Sequence, residues 1–231
     1  MMRIPETIAI DGPAASGKSS VGLDVANYFG YLFLDTGVMY RAVTWKAINH
    51  SIDLNDEQKV SDLVNRVSID IKPPSVMDGR VNDIVVDSED ITWNIRAPEV
   101  NYHVSLVSSY QEVRQVLTSL QREIGLKGKV VMVGRDIGTV VLPDAEIKIF
   151  LNASAEERAK RRYKEELERD EKPNFHDLFA ALKERDKMDS SRIFAPLLPA
   201  EDAIIIDTDY KQKTDVVNEI IKIAIEKGIS Q

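Results

Sequence analysis

Near its start the chain reads Thr7-Ile8-Ala9-Ile10-Asp11-Gly12-Pro13-Ala14-Ala15-Ser16-Gly17-Lys18-Ser19-Ser20, a short apolar run followed by G-x-x-x-x-G-K-S and then by a helical pattern. A glycine-rich turn between a strand and a helix lets backbone N–H groups approach phosphate oxygens, and the helix N-terminus favours anions. Lys18 offers a mobile cation to the outer phosphates, and Ser19 offers a hydroxyl ligand to Mg²⁺. The stretch therefore predicts a nucleoside triphosphate site formed by Gly12, Pro13, Ala14, Ala15, Ser16, Gly17, Lys18, Ser19 and Ser20.

The composition of the 231-residue chain narrows the classes of function that fit it. Its 30 basic and 38 acidic side chains give a formal net charge of −8, which argues against a general electrostatic nucleic-acid binder. Because there is no cysteine, disulfides and thiolate chemistry are excluded, and three scattered histidines disfavour a zinc site. No apolar run approaches membrane-spanning length and no signal peptide precedes the first strand, so we expect a cytoplasmic protein without a membrane partner.

Five short apolar runs have the character of buried parallel strands, and helical patterns separate them. This alternation predicts an α/β fold, a three-layer P-loop fold with a five-stranded parallel sheet. Ligands of such a sheet bind beyond the carboxyl ends of its strands, so Asp11, Asp35 and Gly134-Arg135-Asp136 should cluster there. The five runs are Ile8–Ile10, Tyr31–Leu34, Val130–Val133, Ile147–Leu151 and Ala203–Ile206.

Three helical patterns are clear between and after these runs. The first covers Ser19–Phe29, and the second is marked by apolar residues from Val113 to Ile124 at helical spacing. The last is expected from about Thr214 to Lys227, with Gly228 as its stop. Its inward stripe consists of Val217, Ile220, Ile221 and Ala224.

One stretch departs from the alternation of strands and helices. Apolar and polar residues alternate over Val67–Ile71, as in a strand with one solvent-exposed face. Asp78-Gly79 is typical of a hairpin turn, and Val81–Val86 is a second strand-like run. A third strand is expected to begin at Ile91-Thr92. The pattern predicts a small antiparallel insert over residues 63–101, which either covers a substrate or is a surface elaboration without a catalytic part.

Two arginines flank a carboxylate near the end of the chain. Arg185, Asp189 and Arg192 are spaced four and three apart, which places them on one face if they share a helix. Two guanidiniums beside a carboxylate suit an anionic sugar phosphate, since arginine binds phosphate through two parallel hydrogen bonds and aspartate accepts from ribose hydroxyls. The alternative is a solvated face with ion pairs of little energetic weight.

A second arginine cluster follows a capped helix start, Ser154-Ala155-Glu156-Glu157. Arg158, Arg161 and Arg162 share a helix face and predict a short helical lid over about residues 154–172. Its arginines would offset charge on the transferring phosphoryl group and exclude water. The interleaved Glu165, Glu166 and Glu168 leave open the alternative of a solvated face.

At the end of the second run stands Leu34-Asp35-Thr36-Gly37-Val38-Met39-Tyr40-Arg41. Arg41 is a candidate clamp for the phosphate of an acceptor, and Tyr40 is a candidate for the wall of its pocket. The alternative is a strand-to-helix turn in which Asp35-Thr36-Gly37 only forms the turn and binds no ligand.

Together these segments resemble the bacterial cytidylate kinases of the nucleoside monophosphate kinase family, and the resemblance covers essentially the whole chain. The segment from Gly134 to Val141 is the most family-specific. Thr36 stands where the family often has serine, and Val133 stands where it usually has an acidic residue. The matching segments are Ile10 to Ser19, Leu34 to Arg41, Gly134 to Val141, Lys148 to Leu151, Ser154 to Ala159, Lys183 to Asp186, and Arg192 with Ala195-Pro196-Leu197.

The resemblance implies a P-loop core over residues 1–62 and 102–231, a monophosphate-binding insert over 63–101, and transfer of the γ-phosphoryl group of Mg·ATP to CMP or dCMP by a monomer. The implied readers of cytosine are Ser105, Arg114 and Asp136, and the implied contact to ribose is Asp189. The implied surroundings of the acceptor phosphate are Thr36, Tyr40, Arg41, Arg185 and Arg192. The implied catalytic residues are Lys18, Arg135, Asp136, Arg158 and Arg162, and the implied metal ligand is Ser19.

Two alternatives to a cytidylate kinase stay open at this stage. One is a kinase of another small acceptor, such as UMP or dephospho-coenzyme A. The other is a nucleotide switch or binding module, although the Asn-Lys-x-Asp motif that reads guanine is not present in the sequence.

Overall fold

The computed structural model describes residues 4–169 and 172–229, and these divide into two compact units. The first unit comprises Met1–Leu32 and Lys127–Gln231, and the second comprises Phe33–Leu126. The predicted insert over residues 63–101 lies inside the second unit, which also includes helices on either side of it. Among the described residues, no helix has the length and apolar character that crossing a bilayer requires.

The elements follow the predicted alternation of strands and helices. The strands are β1 (Thr7–Asp11), β2 (Leu32–Asp35), β3 (Ile69–Lys72), β4 (Asp83–Val86), β5 (Glu89–Asp90), β6 (Val130–Gly134), β7 (Ile147–Asn152) and β8 (Ile204–Asp207). The helices are α1 (Lys18–Phe29), α2 (Gly37–Asn49), α3 (Glu57–Val64), α4 (Pro98–Val107), α5 (Gln111–Gly125), α6 (Ala155–Leu167), α7 (Phe175–Ser190) and α8 (Lys213–Ile229).

The main sheet has five parallel strands in the order β2-β6-β1-β7-β8, which confirms the predicted fold class. All five residues of β6 are buried, as expected of a strand covered on both faces. Strand β1 lies between β6 and β7, and its last residue, Asp11, is in register with Gly134 and with Phe150. The edge strand β8 differs, because Ile204 and Ile205 are exposed.

The helices of the first unit confirm the predicted apolar stripes but correct one boundary. Helix α1 packs on β6 and α8, and α6 packs on α7. In α8 the stripe from Val217 to Ala224 is buried, as predicted, but the helix continues through Gly228 to Ile229. The prediction that Gly228 stops the helix is wrong, because a glycine ends a helix where it takes a left-handed φ, as Gly30 does after α1 at 67°.

The second unit contains the predicted antiparallel sheet, in the order β3-β4-β5. Its third strand is Glu89–Asp90 and not Ile91-Thr92. Asp87 and Ser88 both have positive φ, at 49° and 70°, so the chain reverses immediately after β4 and Glu89 pairs with Val86. The short turn therefore moves the third strand two residues earlier than the sequence pattern indicated.

The predicted lid corresponds to α6 and the residues after it. Ser154 caps this helix as predicted, since its hydroxyl accepts from the N–H of Glu157 at 3.2 Å. Residues 170 and 171 of the predicted lid, and residues 1–3, 230 and 231 of the predicted core, lie outside the described residues.

Candidate active site

The predicted phosphate loop joins β1 to α1 and depends on glycine at two positions. Gly12 has a φ of 151°, and a Cβ there would lie 2.2 Å from the carbonyl oxygen of Leu151 in β7. Gly17 is left-handed, with a φ of 92°, and immediately precedes α1. The loop therefore has the tight turn and the close approach between backbone segments that a phosphate cradle requires.

Lys18 lies inside this loop and not in solvent. Its side chain is buried, and Nζ donates to the carbonyl oxygen of Pro13 at 2.7 Å and to Oγ of Ser16 at 3.4 Å. Ser19 is exposed in the first turn of α1, while the hydroxyl of Ser20 donates to the carbonyl of Gly17 at 3.0 Å. The loop thus fixes an ammonium group beside the start of a helix. The ammonium charge and the helix N-terminus both favour binding of a polyphosphate.

Asp11 connects the phosphate loop to the segment that follows β6. One carboxylate oxygen accepts from the N–H of Ile137 at 2.8 Å, and the other accepts from the N–H of Gly138 at 2.7 Å. These contacts confirm that the ends of β1 and β6 come together, as predicted. Burial raises the pKa of Asp11 to about 6, although the hydrogen bonds from Gly138 and Ile137 lower it.

This raised pKa predicts a pH-dependent stability. The folded state takes up a proton at a pH of about 6 and the unfolded state only near 3.8, so the free energy of unfolding should rise as the pH falls through this window. Between pH 7 and 5.5 the expected gain is about 1 kcal/mol relative to Asp11→Asn, in which the group does not titrate. Urea unfolding of both proteins at each pH measures the difference, and equal pH dependences would contradict it.

Asp189 is buried at the centre of a cluster of partly buried arginines in the first unit. It accepts from Nε of Arg135 at 2.9 Å and from the guanidinium of Arg192, and the charge of Arg185 acts on it as well. Burial alone would raise the pKa of Asp189, but the charges of Arg135 and Arg192 outweigh it and hold that pKa below its usual range. The cluster provides several cations held in place by one ionised carboxylate.

The structure corrects the predicted placement of Arg192. Helix α7 ends at Ser190, so Arg192 does not share its face with Arg185 and Asp189. The chain turns back after the helix, and the N–H of Leu197 donates to the carbonyl of Asp189 at 2.9 Å. Arg192 therefore reaches Asp189 from a loop, and the guanidiniums still converge on the carboxylate.

The three arginines of α6 have different surroundings. Arg158 is buried, donates to the carbonyl of Ala14 in the phosphate loop at 3.1 Å, and pairs with Asp186 through both terminal nitrogens. Arg162 is half-exposed and pairs with Glu165 and Glu166 of its own helix. Arg158 therefore lies at the phosphate loop. Arg162 instead pairs with acidic side chains of its own helix, as arginines on solvated helix faces do.

Two further side chains lie close to the loop: Arg161, which sequence reasoning placed only among the arginines of the lid, and Asp186, to which it gave no role. Arg161 donates to the carbonyl of Ser16 at 3.4 Å and to Oγ1 of Thr208 at 3.0 Å. Asp186 holds the guanidinium of Arg158. The sequence signals were the position of Arg161 in the arginine cluster and the position of Thr208 directly after β8.

The second unit holds five further candidate residues, Thr36, Tyr40, Arg41, Ser105 and Arg114. Thr36 is buried directly before α2, and the guanidinium carbon of Arg114 lies 5.5 Å from the ring centroid of Tyr40. Arg114 also donates to the carbonyl of Ser108 at 3.1 Å. Arg41 donates to the side-chain oxygen of Asn101, which in turn donates to the carbonyl of Arg96. Within this unit the structure brings Tyr40 and Arg114 together, and Ser105 lies on α4 with its side chain partly buried.

A family model described as cytidylate kinase matches residues 8–226 of the chain, which includes every candidate residue above. The chain belongs to the cytidylate kinase family. A cytidylate kinase from Bacillus velezensis is 46% identical over 96% of the chain and 97% of its own length. One from Herpetosiphon aurantiacus is 44% identical over 95% and 94%, and one from Bacillus subtilis is 44% identical over 96% and 97%. These cytidylate kinases match the chain nearly end to end, as the sequence resemblance implied.

The first turn of α1 offers an oxygen ligand of the kind that Mg²⁺ takes when it binds together with ATP. Mg²⁺ is held by one or two protein oxygens together with phosphate oxygens and water. Ser19 presents an exposed hydroxyl directly after the buried Lys18. Within residues 4–169 and 172–229, no group of three or more metal-ligating side chains forms a cage. This donor set suits an ion that arrives with the nucleotide.

Proposed function

We propose that this chain transfers the γ-phosphoryl group of Mg·ATP to CMP or dCMP, giving CDP or dCDP and ADP. The observation that carries the proposal is the phosphate loop with Lys18 folded into it and Arg158 at its edge, in a chain of the cytidylate kinase family. An oxygen of the CMP phosphate forms a bond to the γ-phosphorus as the bond from that phosphorus to the bridging oxygen of ATP breaks. The attacking oxygen is already ionised, so the transfer needs no strong general base.

The chain contributes position and positive charge to this step. Lys18 and Arg158 bind the phosphates of ATP, with the backbone of Gly12 to Ser20. Arg135, Arg185 and Arg192 bind the phosphate of the acceptor and the transferring group, and Asp189 holds two of them while it faces the ribose. Arg162 belongs to the lid that excludes water. We assign Ser19 as the residue that would hold Mg²⁺, which when bound would offset negative charge on the phosphates of ATP.

We assign the parts of the acceptor to individual side chains. In the second unit we assign Thr36, Tyr40 and Arg41 to the acceptor phosphate and its pocket, and Ser105 with Arg114 to the cytosine ring. In the first unit we assign Asp136 to the exocyclic amine of cytosine, which is a donor that a carboxylate accepts. Uracil carries an acceptor at that position, so the same carboxylate should disfavour UMP.

The test is ADP release from Mg·ATP with CMP, dCMP, UMP, AMP, GMP, dephospho-coenzyme A and no acceptor. We expect rapid turnover with CMP and dCMP, weak turnover with UMP, and none without an acceptor. Turnover with another acceptor would support the assignment as a P-loop kinase but contradict the assignment of residues to cytosine. ADP release without any acceptor would indicate a hydrolase or a switch. We expect the protein to be cytoplasmic and monomeric. Size-exclusion chromatography with light scattering tests the oligomeric state.

Replacing Arg192 with alanine tests the acceptor phosphate assignment. We expect the KM for CMP to rise by roughly 10- to 100-fold with a much smaller change in the KM for ATP, because a charge-assisted hydrogen bond to phosphate is lost. Asp189 keeps its bond from Arg135, so the fold should persist. The control is Lys187→Ala, an exposed cation on α7. An unchanged dependence on CMP would remove Arg192 from the site.

A further inference from the structure

The proposed reaction gives no role to the buried carboxylate of Asp11. Asp11 is the last residue of β1, and the next residue, Gly12, begins the phosphate loop. Its side chain is 4% exposed, and both oxygens accept from backbone N–H groups of the segment after β6, those of Ile137 and Gly138. Asp11 therefore bridges the nucleotide loop and the segment that carries Asp136.

The bridge determines where that segment begins its turn. Residues 137–141 form a single π-helical turn, and the carbonyl of Asp136 accepts from the N–H groups of Val140 and Val141 at 2.9 and 3.1 Å. The first two N–H groups of this turn have no partner within it, and they are the two that Asp11 binds. The position of Asp136 at the start of the turn thus depends on a side chain from another strand.

The fit at this point leaves little freedom. A Cβ on Gly138 would lie 3.4 Å from Oδ2 of Asp11 and 3.2 Å from Cδ of Lys148. An amide in place of the carboxylate puts an NH₂ donor where one of the two oxygens accepts, so one of the two N–H groups faces a donor and loses its bond. Burying an ionised carboxylate is unfavourable, and burial raises the pKa of Asp11 to about 6. Carboxyl groups with a pKa shifted by burial cluster at functional sites.

We propose that Asp11 is a positioning residue that holds Asp136 in place relative to the phosphate loop and thereby sets the preference for cytosine over uracil. The proposal rests on the proposed function. In this role Asp11 itself contacts neither the base nor the phosphates. It acts through the N–H groups of Ile137 and Gly138, whose displacement would move the carboxylate of Asp136.

The test is the ratio of kcat/KM for CMP to that for UMP, measured at pH 8 in Asp11→Asn. We expect this ratio to fall about 10-fold or more, because one of two hydrogen bonds is lost and Asp136 shifts from the base. The KM for ATP should change less than about threefold, and the midpoint of thermal unfolding should move by less than about 5 °C. Asp24→Asn, which alters an exposed ion pair with Lys213, is the matched control and should keep the parent ratio.

A double-mutant cycle separates positioning from a general weakening of the fold. If Asp11 acts through Asp136, Asp11→Asn should lower the ratio little further in an Asp136→Ala background. Equal losses with CMP and UMP in Asp11→Asn, or additive losses of the ratio in the double variant, would overturn the proposal. If Asp11→Asn does not fold, Gly138→Ala carries the same test, since its φ is compatible with alanine and its Cβ would crowd Lys148 directly beside the N–H group that Asp11 binds.

The outcomes also separate this inference from the proposed function. If the parent protein releases ADP with CMP and prefers it to UMP, the proposed function stands whatever Asp11→Asn shows. An unchanged ratio in a folded, active Asp11→Asn would then overturn the inference alone. A parent protein without CMP-dependent turnover would overturn both.

Discussion

Replacing Lys18 with alanine should lower kcat/KM for phosphoryl transfer by roughly 10³-fold or more while the chain stays folded. The ammonium group is the charge that the phosphate loop holds closest to its own carbonyls, with 2.7 Å between Nζ and the carbonyl oxygen of Pro13. In the transfer step this charge would stabilise the phosphoryl group as negative charge moves to the leaving oxygen. Alanine retains the helical start of α1 and removes only the cation.

The measurement is initial-rate ADP release with saturating CMP, together with thermal unfolding of the variant. Lys213→Ala is a matched control, because Lys213 pairs with Asp24 of the same helix α1 and is half-exposed. The control should retain the parent rate. Turnover of Lys18→Ala within tenfold of the parent would contradict the assignment of the P-loop as the nucleotide site.

Arg158→Ala should lower kcat by roughly 10²- to 10³-fold. Arg158 is 3% exposed, contacts the phosphate loop at Ala14, and is oriented by Asp186 through both terminal nitrogens. A guanidinium held in this way can stabilise a transition state without reorganising, and most of its effect should therefore appear in kcat. The KM for CMP should change far less.

Two other variants of α6 sharpen this prediction. Lys164→Ala removes an exposed cation paired with Glu168 and should leave kcat unchanged. Arg162→Ala removes the other arginine assigned to the lid, whose partners in this structure are Glu165 and Glu166. We expect its effect on kcat to be at least tenfold smaller than that of Arg158→Ala. Equal effects of the two arginine variants would contradict the distinction that the structure draws.

The main sheet was predictable from the sequence because buried parallel strands are continuous apolar runs. Each of the five runs became a strand within one or two residues of its predicted bounds. The helix over Ser19–Phe29 was predictable for a similar reason, since its apolar face recurs at helical spacing. These features depend on local patterns of apolar residues, and such patterns can be recognised in a single sequence.

Other features depend on backbone conformation or on contacts between distant residues. The continuation of α8 through Gly228 and the reversal at Asp87-Ser88 depend on φ angles that residue type does not fix. The bonds from Ile137 and Gly138 to Asp11 join residues separated by 126 and 127 positions. Spacing suggested that Arg192 continued a helix, whereas the loop that returns Leu197 to Asp189 ends that helix earlier.

Strand β8 has a practical consequence for handling the protein. It ends the sheet, and Ile205 is 60% exposed on it, so this edge is where strand pairing between molecules would begin in concentrated solution. Acidic residues bracket the strand: Glu201 and Asp202 lie before it, Asp207 is its last residue, and Asp209 lies after it. Such flanking charges act as gatekeepers against aggregation. Because salt screens the repulsion between exposed charges, storage at low ionic strength should keep this edge from associating.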